Sequence, residues 1–139
     1  MSVIVADQGF APEDWNAPIV ALADLTDQTA VDLSNTDDPT ALAERLEQLT
    51  LIRVAFPAFS DGRAFTIARR LRMMGYKGRL RANGPVIADQ YPMARRVGFD
   101  AVEIPDDIAA RQPEAQWRAR SDWQAHDYQA RLGHARTRA

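Results

Sequence analysis

Apolar positions along the chain follow two rhythms, one alternating and one helical, and the clearest passage between them runs from Leu51 to Ala82. Leu51 to Phe56 is a β-rich apolar run broken only by Arg53 and closed by Pro57 and Ser60-Asp61-Gly62, the pattern of a largely buried parallel strand. Phe65, Ala68, Leu71 and Met74 then recur at helical spacing, with Asp61 placed to cap the helix and Arg69, Arg70 and Arg72 turned outward. Gly75 and Gly78 flank Tyr76-Lys77 as a helix-ending turn, and a second strand follows over Gly78 to Ala82. Two strands joined by a helix of this length run parallel with a right-handed crossover.

The rhythm extends in both directions. Ala30 to Ser34 predicts a strand, and Asn35-Thr36-Asp37-Asp38-Pro39 predicts a turn that starts a helix over 39–49 with Leu42, Leu46 and Leu49 as its buried stripe. Asn83-Gly84-Pro85 opens another helical pattern, in which Val86, Ile87, Gln90, Ala94 and Val97 share a face. Pro92 inside it predicts a kink near Ala88 or two short helices. Phe99 to Ile104 alternates as a fourth strand, followed by a short helical turn to Arg111. Upstream, Val3 to Ala6 and Phe10 to Trp15 predict a small hairpin or an arm, and Pro18 to Ala23 a short strand and loop.

Strand starts near Val31, Leu51, Gly78 and Ala101 define the expected fold class: α/β, a four-stranded parallel βα-repeat forming a half-barrel or a small doubly wound sheet. The expected organisation is one domain over 1–111 with an N-terminal arm, then a helical tail over 112–139 in which Trp117, Gln124, Tyr128 and Leu132 share a face. A half-barrel leaves open edges that the termini or a second copy must cover, which points to a homodimer.

Charge sharpens this picture because it is segregated. Residues 1–61 hold 2 Arg against 11 acidic residues, whereas 63–96 hold 9 basic residues against Asp89 alone. The basic block can attract anions or acidic partners, or can form solvated helix faces paired with acidic neighbours. Nucleic acid is not expected, since the pI is near 5.6 and aromatic residues do not alternate with the basic ones. The 139-residue chain has no cysteine, which excludes disulfides, thiolate metal sites and cysteine nucleophiles. With no signal-peptide pattern and no apolar run approaching ~20 residues, the expected setting is cytoplasmic, away from the membrane.

Ligands of parallel sheets bind beyond the carboxyl ends of the strands. The residues expected there are Ser34 and Asn35, then Phe59, Asp61, Gly62 and Arg63, then Arg81 and Asn83, and finally Glu103. Gly62 allows close approach to the free amides of a helix N-terminus, and Arg63 and Arg81 are candidates to hold a small oxyanion from two sides, with Asn35, Phe59 and Glu103 lining the pocket. The bland alternative makes Asp61 a cap, Gly62 a turn residue and Arg63 an ion-pair partner of Asp61 or Asp89. No metal site is expected, because His126 and His134 stand eight apart in the tail without carboxylates at ligand spacing. No dinucleotide or P-loop fingerprint occurs, no cofactor is evident, and redox chemistry would need a borrowed flavin, haem or nicotinamide.

A set of ordered motifs carries a family resemblance. Pro57 to Arg63, Leu71-Arg72, Gly75-Tyr76-Lys77-Gly78, Leu80-Arg81-Ala82, Asp89-Gln90 and Arg96 to Ala101 together resemble an uncharacterised bacterial family whose genes commonly lie beside those for assimilatory sulfite reductase. Its members are often labelled probable oxidoreductases of sulfite reduction. This chain carries Ala64-Phe65-Thr66 where members usually show Gly, an aromatic and Ser, and Val97 where many have Cys. The resemblance implies an accessory protein of sulfite reduction that docks to the sulfite-reducing enzyme; the alternative is a small enzyme or carrier that binds a sulfur oxyanion at the strand ends.

Overall fold

The structure, a computed structural model, describes residues 2–58 and 62–121. Alternating positions in each strand sort to opposite faces of one sheet. Its strands are β1 (Ser2–Ala6), β2 (Gly9–Ala11), β3 (Val20–Ala21), β4 (Ala30–Leu33), β5 (Leu51–Ala55), β6 (Arg79–Asn83) and β7 (Ala101–Pro105), in the spatial order β2-β1-β7-β6-β5-β4-β3. β3 to β7 pair in parallel, while β1 lies antiparallel to β7 and β2 antiparallel to β1.

The fold is therefore α/β, but its sheet is wider than the four parallel strands expected. Val20–Ala21 adds a fifth parallel strand, and the N-terminal hairpin closes the β7 edge. The parallel strands follow one another in sequence order, and right-handed crossovers that always step the same way bring their helices to a single side. A doubly wound sheet would need a reversal of strand order, and the described strands show none. Among the described residues, the strands at the two edges have three and two residues, which limits edge-to-edge pairing.

Four helices follow, α1 (Arg63–Met73), α2 (Tyr91–Val97), α3 (Asp106–Arg111) and α4 (Glu114–Arg118). Ala64, Ile67, Ala68 and Leu71 of α1 and Tyr91 and Ala94 of α2 share one core with Val31, Leu33, Ile52, Val54, Leu80, Ala82, Val102 and Ile104. Trp117, in the segment expected to begin the tail, is also buried in that core, edge-on to Tyr91 at 6.2 Å. The rest of the expected tail face, Gln124, Tyr128 and Leu132, lies outside the described residues.

α1 and α2 end alike. Tyr76 N–H bonds Leu71 O and Phe99 N–H bonds Ala94 O across glycines with positive φ, Gly75 and Gly98, which gives each helix a Schellman stop. Each stop carries the same arginine staple: Arg72 donates to Tyr76 O and Arg95 to Phe99 O.

One expected helix takes another form. Over 39–49 only a 3₁₀ turn forms, Pro39–Leu42, capped by the Asp38 side chain, and bonds to the third residue back continue to Leu49. Arg45 and Gln48 reach back to the carbonyls of Leu25, Thr26 and Gln28, and this anchoring on the β3–β4 connection displaces the α-helical ladder. Leu42 and Leu49 remain buried regardless. The Pro92 pattern splits as expected, into a 3₁₀ turn at Ala88–Gln90 and α2, with Pro92 in the first turn, where its missing N–H costs nothing.

Candidate functional site

Each of the four strands β4 to β7 carries a charge at its third residue: Asp32, Arg53, Arg81 and Glu103. Asp32, Arg53 and Arg81 are cross-strand neighbours, and Glu103 stands two residues further along, opposite Asn83. The period of two sends all four to the face away from the apolar core.

There they form an alternating chain of ion pairs. Arg53 grips Asp32 with two bonds, Nε to Oδ1 at 2.6 Å and Nη2 to Oδ2 at 2.7 Å. Its Nη1 donates to Glu103 at 3.0 Å, where Ser2 Oγ also donates at 3.0 Å. Arg81 Nη1 donates to Glu103 Oε1 at 3.1 Å and to Glu13 Oε2 at 2.6 Å. Arg81 is 1% exposed and Glu103 7%, both in mid-sheet. Burial alone would raise the Glu103 carboxyl, but the hydrogen bonds and charge of Arg53, joined by Ser2 and Arg81, outweigh it and hold it below its ordinary value. The Arg53 guanidinium is pushed up, chiefly by its bond to Asp32.

A segment without regular structure, between β2 and β3, lies across this face. Glu13 caps Arg81, Asp14 accepts from Arg79 at 3.0 Å, and Arg79 stacks on the Trp15 ring at 5.9 Å. The bond from Arg79, partly offset by burial, lowers the Asp14 carboxyl.

The expected site is thus divided. Arg81, Asn83 and Glu103 do come together, as neighbours on β6 and β7. Arg63 does not join them: it is exposed at the head of α1, on the helical side, while Arg81 is buried on the opposite face between Glu13 and Glu103. Asn35 sits in the turn after β4, where Asp37 accepts from Ser34 N–H. Phe59 and Asp61 lie outside the described residues. α1 starts at Arg63 with Gly62 as its N-cap, one residue later than expected, and Gly62 has an ordinary φ of −87° with open space where a side chain would stand. No conformational demand selects glycine there. Asp89 pairs with Arg120 at 2.7 Å.

Sequence reasoning overlooked Arg53, Asp32 and Glu13 as partners. For the first two, the signal was a charge recurring at the third place of successive apolar strands.

A cleft of about 800 Å³ opens at the amino ends of β5 to β7 and is lined by Arg72, Lys77, Arg79, Arg95 and Asp100 among others. Its arginines are already engaged. Arg72 donates to the carbonyls of Tyr76, Gly78 and Gly98 and to Asp100, and Arg95 to Phe99 O and Asp7. This cleft fastens helix ends to strand starts. Tyr91, which donates to Asp7, and Tyr76 are both raised by burial, so neither phenol supplies an anion near neutrality.

The helical side presents a different surface. Thr66, Arg69, Arg70 and Met73 share the solvent side of α1, and Met93 and Arg96 are exposed on the adjoining α2. Met73 is 76% exposed and Met93 47%. Among the described residues no cluster of His, Cys, Asp and Glu is arranged to hold a metal, and no helix is long and apolar enough to cross a membrane. A family model described as a bacterial protein of unknown function (DUF934) matches residues 30–138. No curated protein and no solved structure matches the chain.

Proposed function

We propose a function from one premise: the chain belongs to the DUF934 family of bacterial proteins of unknown function. The resemblance drawn from the sequence associates that family with assimilatory sulfite reduction. The reading best supported is an accessory cytoplasmic protein that docks to the sulfite-reducing enzyme through its helical side, the redox chemistry staying with the partner.

The observation that carries it is the α1–α2 surface, where α1 exposes Arg69, Arg70 and Met73 and the adjoining α2 exposes Met93 and Arg96. Methionine and arginine are enriched where proteins meet, and such a surface fits an acidic patch with apolar pockets. The Arg70–Asp38 pair, 3.4 Å and largely exposed, is weak enough to be exchanged for a partner's carboxylate. The alternative, a sulfur oxyanion held between Arg63 and Arg81 at the strand ends, is disfavoured because those two side chains lie on opposite sides of the sheet.

The test is binding of the purified chain to sulfite reductase by calorimetry at two salt concentrations. The expected result is binding that weakens with salt and falls by roughly tenfold or more in the Arg69→Glu, Arg70→Glu, Met73→Asp triple variant. A folded native chain that ignores the reductase would remove this reading.

A further inference from the structure

On the face opposite the docking surface, Arg81 carries more donor capacity than its neighbours use. Nη1 serves Glu13 and Glu103, but Nε and Nη2 are buried with no hydrogen-bond partner among the described residues, and the same holds for Trp15 Nε1. Asp14 Oδ1 is 3.7 Å from Arg81 Nη2, beyond hydrogen-bonding distance. A buried, unmatched donor on a guanidinium is expensive, and all three unmatched atoms are donors that ask for acceptor oxygens.

Charge points the same way. On the strands alone, the arginines at 53, 79 and 81 face two carboxylates, Asp32 and Glu103. The missing negative charge arrives from Glu13 and Asp14, on a segment whose backbone joins no strand or helix and whose residues 12–14 and 16–18 are exposed. Such a segment is held mainly by the ion pairs and the Trp15 stack, and it costs little to lift.

We propose that Arg81, flanked by Arg79 and Arg53, anchors a binding site for a small oxyanion, and that residues 12–18 are its built-in competitor, Glu13 standing where the ligand's oxygens bind. The ligand class is an anion with two or more acceptor oxygens on one centre, a carboxylate or a sulfite- or phosphate-like group. Binding lifts the segment and meets the donors that Glu13 leaves unmatched. The site is independent of docking, because it uses the other face of the sheet.

The experiment is calorimetric titration of the full chain with sulfite, phosphate and acetate, comparing the native protein, Glu13→Gln/Asp14→Asn, and the same variant carrying Arg81→Lys, with circular dichroism to verify folding. The expected result is one probe bound roughly tenfold more tightly by the double variant than by the native chain, with the gain lost on adding Arg81→Lys. Which of the three probes responds separates carboxylate from sulfite and phosphate chemistry. Binding of equal strength in all three proteins means an adventitious ion only and overturns the proposal, as does no binding by the folded double variant. If that variant does not fold, Glu13→Gln alone carries the comparison. If that too unfolds, Glu13 is a structural necessity, and the competitor role is overturned.

Discussion

The two faces of the sheet are built from the same strands by opposite means. Leu80 and Arg81 are adjacent on β6 and both buried, yet Leu80 enters an apolar core whose contacts are interchangeable, whereas Arg81 enters a chain of charges in which each member depends on the next. The apolar face supplies stability through area and packing. The charged face supplies little net stability but is intolerant of a missing partner, because desolvation offsets most of what its ion pairs gain. A region of that kind is suited to holding and exchanging a charged group.

Removing one charge should have the largest effect. Glu103→Ala leaves Arg53 and Arg81 both short of an acceptor and should cost roughly 3–5 kcal/mol in urea unfolding. Leu80→Ala, on the other face of the neighbouring strand, should cost about 2–4 kcal/mol with no dependence on salt or pH. Replacing charges together should cost less than the two losses added: Arg81→Met with Glu103→Leu removes both ends of one ion pair, though Arg53 and Glu13 each still lose a partner, and a cost equal to the sum of the single substitutions would mean the charges do not act as a unit.

Acid sharpens the contrast. The Glu103 carboxyl is held below its ordinary value of 4.5 in the folded chain. Its contribution is therefore complete above that value and is lost as the pH falls through the lower folded value. The urea midpoint should drop below about pH 5 more steeply in the native chain than in Glu103→Gln, and parallel slopes would remove Glu103 from the account. The smallest effect belongs to the exposed Arg111–Asp107 pair, where Arg111→Ala should change stability by less than about 0.5 kcal/mol.

Much of this division was legible in the chain. Leu51-Ile52-Arg53-Val54-Ala55 displays the alternation that separates the faces, and the strands from Ala30 to Ile104 with the helices after β5 and β6 are readable from period, whereas 39–49 reads as a helix and forms only a 3₁₀ turn. Arg53 read as an interruption because a parallel strand is expected to be apolar on both faces. That expectation holds where helices cover both sides, and the consecutive strand order, which period does not specify, brings the crossover helices of the described residues to one side. The Glu13 contact with Arg81 joins distant parts of the chain through a segment with no rhythm at all. The Arg63–Arg81 clamp misled for a related reason: both residues flank strand ends in sequence, but one belongs to a helix and the other points through the sheet.

The antiparallel pairing of β1 with β7, Ser2 opposite Pro105, has a consequence for how the molecule comes into being. β4 to β7 each join the strand made just before, so this part of the sheet can grow strand by strand as the ribosome delivers it. β1 is synthesised first and seated last. Until β7 emerges, several seconds later at ordinary elongation rates, the N-terminal hairpin has no strand to pair with, whereas the acidic segment behind it already meets Arg79 and Arg81 once β6 is in place.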